Sequence, residues 1–105
     1  IVNVPVPPGT AGRAWQQAIT EKWLPALDEF RPQLVIVSAG FDGHAADPMA
    51  ELLLTEADYA WVTEQLSLVS ERHAGGRLVS CLEGGYDLAA LGRCVAIHIR
   101  RLAGW

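Results

Sequence analysis

The chain has 105 residues, 50% apolar and 19% charged, a globular composition sufficient for one domain and one modest core. Its net charge of −4 and its lack of any Lys/Arg cluster argue against a nucleic-acid partner. No run nears the ~18 apolar residues a membrane-spanning helix needs, and no basic stretch precedes an apolar one as in a signal peptide, so no membrane association is expected and a cytoplasmic location is the default. The mean hydropathy of +0.18 is high for so small a unit and implies apolar surface that meets something outside this sequence. The two cysteines, Cys81 in an expected strand and Cys94 in an expected helix, read as buried core thiols rather than a disulfide or metal pair. The first residue is Ile1, inside what reads as a strand. Tag removal, disordered ends or truncation of a longer chain would each explain such a start.

In chain order, Ile1–Val6 alternates weakly and is stopped by Pro7 and Pro8, which predicts a short strand. Thr10 is placed to cap the helix that follows. Over Ala14–Phe30, Trp15, Ile19, Trp23, Leu27 and Phe30 form an apolar stripe at helical spacing. Pro25 interrupts that helix and predicts a kink near Glu21–Pro25, and the pre-proline Arg31 marks its end in extended geometry. Leu34–Ala39 is a buried strand, and Phe41–Leu54 is a long loop. Thr55 and Asp58 form a capping-box pattern at the start of a helix to about Arg72, with Tyr59, Val62, Leu66 and Val69 as its apolar stripe. Gly75–Gly76 stops it. Arg77–Leu82 is a second buried strand. Asp87 caps a last helix whose stripe is Leu88, Leu91, Val95, Ile99 and Leu102. The order β-α-β-α-β-α predicts a three-layer α/β fold, a parallel β-sheet with flanking helices and at least one bare edge.

Two loops, Gly40–Pro48 and Glu83–Asp87, leave the carboxyl ends of these strands. In a parallel sheet they emerge on one side, where ligands gather. Asp42 and Tyr86 are therefore expected to face a common cleft. Asp42 can serve as metal ligand, general base or turn former. His44, two residues on, suggests a metal pair, but a catalytic zinc needs three protein ligands and no third is evident, so an exposed loop histidine is the preferred reading. Asp47–Pro48 reads as a turn. Gly84 and Gly85 either hold the backbone open for a ligand or make a tight turn. Tyr86 can donate its hydroxyl to a developing oxyanion or simply pack with that hydroxyl wet. Glu83 is either paired or solvated, and His73 and His98 are expected on helix surfaces. No G-x-S-x-G, P-loop or G-x-G-x-x-G is present.

Several blocks are nonetheless familiar. Asn3-Val4-Pro5, Pro8-Gly9-Thr10, Trp23-Leu24-Pro25-Ala26-Leu27, Phe30-Arg31-Pro32, Val37-Ser38-Ala39-Gly40-Phe41-Asp42, Asp47-Pro48 and Leu82-Glu83-Gly84-Gly85-Tyr86 together resemble the histone deacetylase family. The likeness is to its bacterial and class II branch, with acetylpolyamine amidohydrolases and acetoin-utilization proteins as relatives, and it covers nearly the whole chain. It implies an arginase–deacetylase type of fold and a zinc-dependent hydrolase of acetyl-amides of lysine or polyamines. It matches Asp42 to a zinc-binding aspartate and Tyr86 to the tyrosine that donates to the substrate carbonyl, and it makes His44 no ligand. Zinc would polarise that carbonyl and activate water.

The family's paired histidines and its Asp-x-His motif, which gives the other two zinc ligands, have no match here. Ala11, Gly12 and Trp15 also depart from the usual residues of their loop. Residues 1–105 are accordingly expected to be a single domain, the C-terminal fragment of a histone deacetylase-like catalytic domain, inactive alone and with no zinc stably bound. Its parent would take a small acetylated substrate or an acetyl-lysine protein. The alternative is a stand-alone, non-catalytic domain. The expected bare sheet edge, the high hydropathy and the four tryptophans would then serve self-association as a homo-oligomer or a protein partner.

Overall fold

The computed structural model describes residues 1–105. The helical stretch that opens the chain has three parts: α1 (Gly12–Ala18), a π-helical turn (Ile19–Trp23) and α2 (Leu24–Phe30). Then come β1 (Val35–Ala39), α3 (Glu56–Ala74), β2 (Leu78–Leu82) and α4 (Leu88–Leu102). β1 and β2 pair in parallel, from Val35 opposite Leu78 to Ala39 opposite Leu82. Parallel neighbours need a long crossover, and α3 provides it.

The strand expected over Ile1–Val6 does not form, so the sheet has two strands and the order is α-β-α-β-α. Pro5, Pro7 and Pro8 each lack the N–H a ladder needs. The segment pairs only beyond them, where Gly9 N–H donates to Glu51 O (2.7 Å) and Leu53 N–H to Thr10 O (3.0 Å). Nor does the unit have three layers. The cross-strand partners Ile36 and Val79, and Ser38 and Cys81, are all exposed, so one sheet face is bare. Cys81 is therefore not the core thiol expected from its strand position, whereas Cys94 is fully buried.

The opening helix begins at Gly12, behind Ala11 rather than Thr10, because the Thr10 hydroxyl donates to Pro7 O (2.6 Å) instead. Its irregularity falls where Pro25 demands one. The turn before the proline widens to π geometry, with Leu24 N–H donating to Ile19 O, which absorbs the missing Pro25 donor. Arg31 ends the stretch, but in left-handed rather than extended geometry (φ 55°), which lets its N–H reach Leu27 O at 3.0 Å.

The core lies between the covered sheet face, α3 and α4. Ala39, Phe41, Leu54, Tyr59 and Cys94 form its centre, with Trp15, Val37, Leu52, Leu91 and Val95 packed around them. Trp15 also meets Trp61 edge-on, with ring centroids 6.3 Å apart. In α3 the expected stripe holds, since Tyr59 and Val69 are buried and Val62 and Leu66 half-buried. In α4 it is rotated. Leu88 and Ile99 are exposed, while Ala90, Cys94 and His98, each four residues apart, face inward.

Candidate active site at the carboxyl ends of the strands

The ladder runs one step past each strand. Glu83 N–H donates to Ala39 O (2.9 Å) and Phe41 N–H to Gly84 O (2.8 Å). The two loops therefore leave side by side, as the parallel order requires. Phe41 turns into the core and packs on Tyr59, with ring centroids 5.0 Å apart. With Phe41 held inward, Asp42 is half-buried and its carboxylate comes to rest on Gly84. A Cβ on Gly84 would stand 2.5 Å from Asp42 Oδ1, and one on Gly40 would stand 3.0 Å from it. The two glycines thus form a cradle that only a residue without a side chain leaves open.

Gly85 has φ +138°, and a Cβ there would also strike Leu91 Cδ1 at 2.7 Å. This turn swings the chain from β2 into α4, whose first turn is capped by Asp87 Oδ1 accepting from Ala90 N–H (2.8 Å). Tyr86 lies on the turn with 59% of its surface exposed. Glu83 is exposed and accepts from the Ser38 hydroxyl at 2.8 Å.

Three residues read as bland loop or surface positions are structural parts of this site. Asp47 is more than a turn former. It is buried, and its carboxylate accepts from three backbone amides: Met49 N–H on Oδ1 (2.9 Å), and Tyr86 N–H (2.6 Å) and Asp87 N–H (3.0 Å) on Oδ2. Burial pushes its carboxyl upward, but the amides of Tyr86, Met49 and Asp87, with His44, outweigh that and leave it below the usual carboxylate range.

His44 is buried, not exposed. Its Nδ1 accepts from Ala46 N–H (3.0 Å), so the proton of the neutral ring sits on Nε2, 3.2 Å from Glu56 Oε2 but poorly aligned for a hydrogen bond. Glu56 is also held by Arg93. The guanidinium, then the Glu56 amide and His44, hold its carboxyl down at about 2.

His98 is buried as well. It bridges Thr63 of α3 (Nδ1, 2.8 Å) and Ser80 of β2 (Nε2, 2.8 Å), with Phe41 edge-on at 5.6 Å. His73 remains near the surface, with Nε2 2.8 Å from Asp28 Oδ1. The i, i+4, i+8 spacing of Ala90, Cys94 and His98 was the signal available for His98. For Asp47 and His44 no periodicity offered one.

A catalytic zinc needs three protein ligands. Asp42 sits half-buried on its glycine cradle, Asp47 is spent on backbone amides and His44 turns toward Glu56. No group of three or more His, Cys, Asp or Glu side chains is placed to hold a metal ion. The donor set of this chain alone does not fit a catalytic zinc. An apolar groove of about 540 Å³ lies elsewhere, between α2 and the outer edge of β1, and Ile1, Trp23, Phe30 and Ile36 are among its lining residues. No helix is long and apolar enough to cross a membrane.

A parallel α/β unit with a carboxylate in a glycine cradle and a tyrosine on the neighbouring loop is the class of structure these observations define. The chain belongs to the histone deacetylase family, the histone deacetylase domain matching residues 1–102. It is 44% identical over 103 residues to a histone deacetylase-like amidohydrolase of Pseudomonas aeruginosa, covering 98% of this chain and 27% of that protein. It is 37% identical over 103 residues to the chloroplastic histone deacetylase 14 of Arabidopsis thaliana, covering 98% of this chain and 24% of that protein. Among solved structures, the HDA15 HD domain superposes with a TM-score of 0.88 at 33% identity, over 97% of this chain and 28% of that one. The histone deacetylase Clr3 does so at 0.87 and 34%, over 97% and 17%. The chain thus spans about a quarter of the length of these two curated relatives, and its fold is that of part of a histone deacetylase domain.

Proposed function

We propose that this chain supplies the carboxyl-terminal part of the active site of a zinc-dependent hydrolase of acetyl-amides, with acetyl-lysine or an acetylpolyamine as substrate. Asp42 contributes one carboxylate ligand, and the other ligands and the proton-transferring histidines lie outside this sequence. Tyr86 donates its hydroxyl to the amide carbonyl as negative charge gathers on oxygen. Gly84 and Gly85 keep the loop between them slim enough for Asp42 and substrate to approach. The single observation that carries this reading is the Asp42 carboxylate seated on Gly84, two residues before the exposed Tyr86.

The chain alone, given zinc, is expected to leave acetyl-lysine and acetylpolyamine substrates intact. Clear turnover abolished by Asp42→Ala would overturn that expectation. Exchanged for the matching segment of the Pseudomonas aeruginosa amidohydrolase, it is expected to support hydrolysis. Asp42→Ala should then abolish activity, and Tyr86→Phe should lower kcat far more than it changes KM. An active chimera indifferent to both substitutions would refute the assignment.

A second reading, a non-catalytic domain that self-associates or binds a protein, is favoured by the bare face at Ile36 and Val79 and the apolar groove beside it. Sedimentation of the purified chain separates the two. A concentration-dependent dimer supports the second reading, and a monomer at all concentrations counts against it.

A further inference from the structure

Beside the Phe41–Gly84 backbone bond, one side chain hydrogen-bonds the Asp42 loop to the Tyr86 loop. Asp47 lies on the first loop, and its Oδ2 accepts both Tyr86 N–H (2.6 Å) and Asp87 N–H (3.0 Å) across about forty residues of sequence. Its Oδ1 accepts Met49 N–H (2.9 Å), which fixes the carboxylate plane within its own loop. Asp47 is buried, while the Tyr86 side chain is mostly exposed. Charge-assisted bonds to two successive amides are strong, directional restraints.

We propose that Asp47 is the positioning residue of the site: it sets Tyr86 relative to Asp42 by clamping the Tyr86 and Asp87 amides. The inference rests on the catalytic reading of Asp42 and Tyr86 for its purpose, but the clamp itself is testable without any activity. The chemistry demands a carboxylate. All three partners are donors and they occupy both oxygens, so an asparagine must turn its NH₂ against at least one N–H in either orientation.

The test is amide NMR on the full 105-residue chain. In the unsubstituted protein, the Met49, Tyr86 and Asp87 amide signals are expected to titrate together, with one midpoint below the usual aspartate range. In Asp47→Asn, the Tyr86 and Asp87 amides should shift upfield. Their hydrogen exchange should quicken by about tenfold or more, the protection a charge-assisted bond confers. Signals of Thr63, Ser80 and His98 should stay in place. A merely structural role would move those core signals too, and that result overturns the proposal. Three separate midpoints, or Tyr86 and Asp87 amides unchanged in the variant, overturn it as well. Should Asp47→Asn fail to fold, the shared midpoint in the unsubstituted protein decides alone. If the clamp holds while the active chimera ignores Tyr86→Phe, the catalytic reading falls and the clamp remains.

Discussion

The Asp42 carboxylate rests on the α-carbon of Gly84, so close that a Cβ would stand 2.5 Å from Oδ1 and 2.9 Å from Cγ. A methyl group there must displace the carboxylate or part the two loops. Gly84→Ala is expected to destabilise the chain by about 1–3 kcal/mol, the range for overpacking. Gly92 is the control. It lies in α4 with nothing within 4 Å of its would-be Cβ, so Gly92→Ala should stabilise by about 0.5–1 kcal/mol. Urea denaturation of both variants checks the pair, and a Gly84→Ala protein as stable as its parent would contradict the cradle.

His98 gives the fold a defined response to pH. The Thr63 hydroxyl donates to Tyr59 O (2.6 Å), which leaves it to accept from His98 Nδ1, so Nε2 is the acceptor for Ser80. The neutral ring is thereby fixed between α3 and β2, and burial lowers its pKa below the ordinary 6.5. As pH falls, the unfolded chain takes up the proton first. Stability is full above 6.5 and is lost as pH drops from there toward the folded value, with a slope of at most about 1.4 kcal/mol per pH unit. Denaturation between pH 7.5 and 5.5 should show this slope, and His98→Gln should flatten it. Equal slopes in the two proteins would remove His98 as the cause.

Glu56 responds at the acid end and to salt. Arg93 and His44 both reach it, and its side chain is 35% exposed. Its carboxyl is depressed to about 2, so its stabilising contribution is present above 4.5 and is lost as pH falls through about 2. Exposure screens the pair, and Glu56→Gln is expected to cost no more than about 1 kcal/mol. That difference should shrink in concentrated salt. Chemical melts at low and high ionic strength test both statements, and a difference that grows with salt would contradict them.

What the sequence made legible follows from the strength of each signal. The β-branched run into Gly40 and the mostly apolar Leu78–Leu82 into Glu83 mark both strands and send Asp42 and Tyr86 to one end of the sheet, because a crossover helix between two strands leaves little choice of direction. Pro25 located the π-helical turn. Weak alternation over Ile1–Val6 carries no information about a partner strand, and the prolines decide against pairing. The apolar stripe of α4 points His98 to the surface, but His98 shares its four-residue spacing with the buried Ala90 and Cys94, and that face is the one turned inward. Asp47 and His44 lie in a loop, where the sequence carries no periodicity to signal burial, and only the folded chain brings residues 86 and 87 back onto Asp47.

The two thiols make the bare sheet face directly measurable. Cys81 is exposed beside Ser38 on the uncovered side of the sheet, whereas Cys94 is fully buried in α4. Burial, and then the nearby Glu56 charge, push the Cys94 thiol up to about 11, while Arg93 opposes them only in part. The thiolate is the reactive form, so Cys94 is doubly protected, by access and by protonation. Titration of the native chain with a thiol-specific disulfide reagent at pH 8 is expected to label one cysteine quickly. The second should react only as fast as the chain opens, and at once in denaturant. Cys81→Ser should remove the fast phase and leave the slow one. Two fast thiols in the native protein would mean that α4 does not pack as described. None would mean that the Ile36–Val79 face is covered in solution, as self-association through it requires.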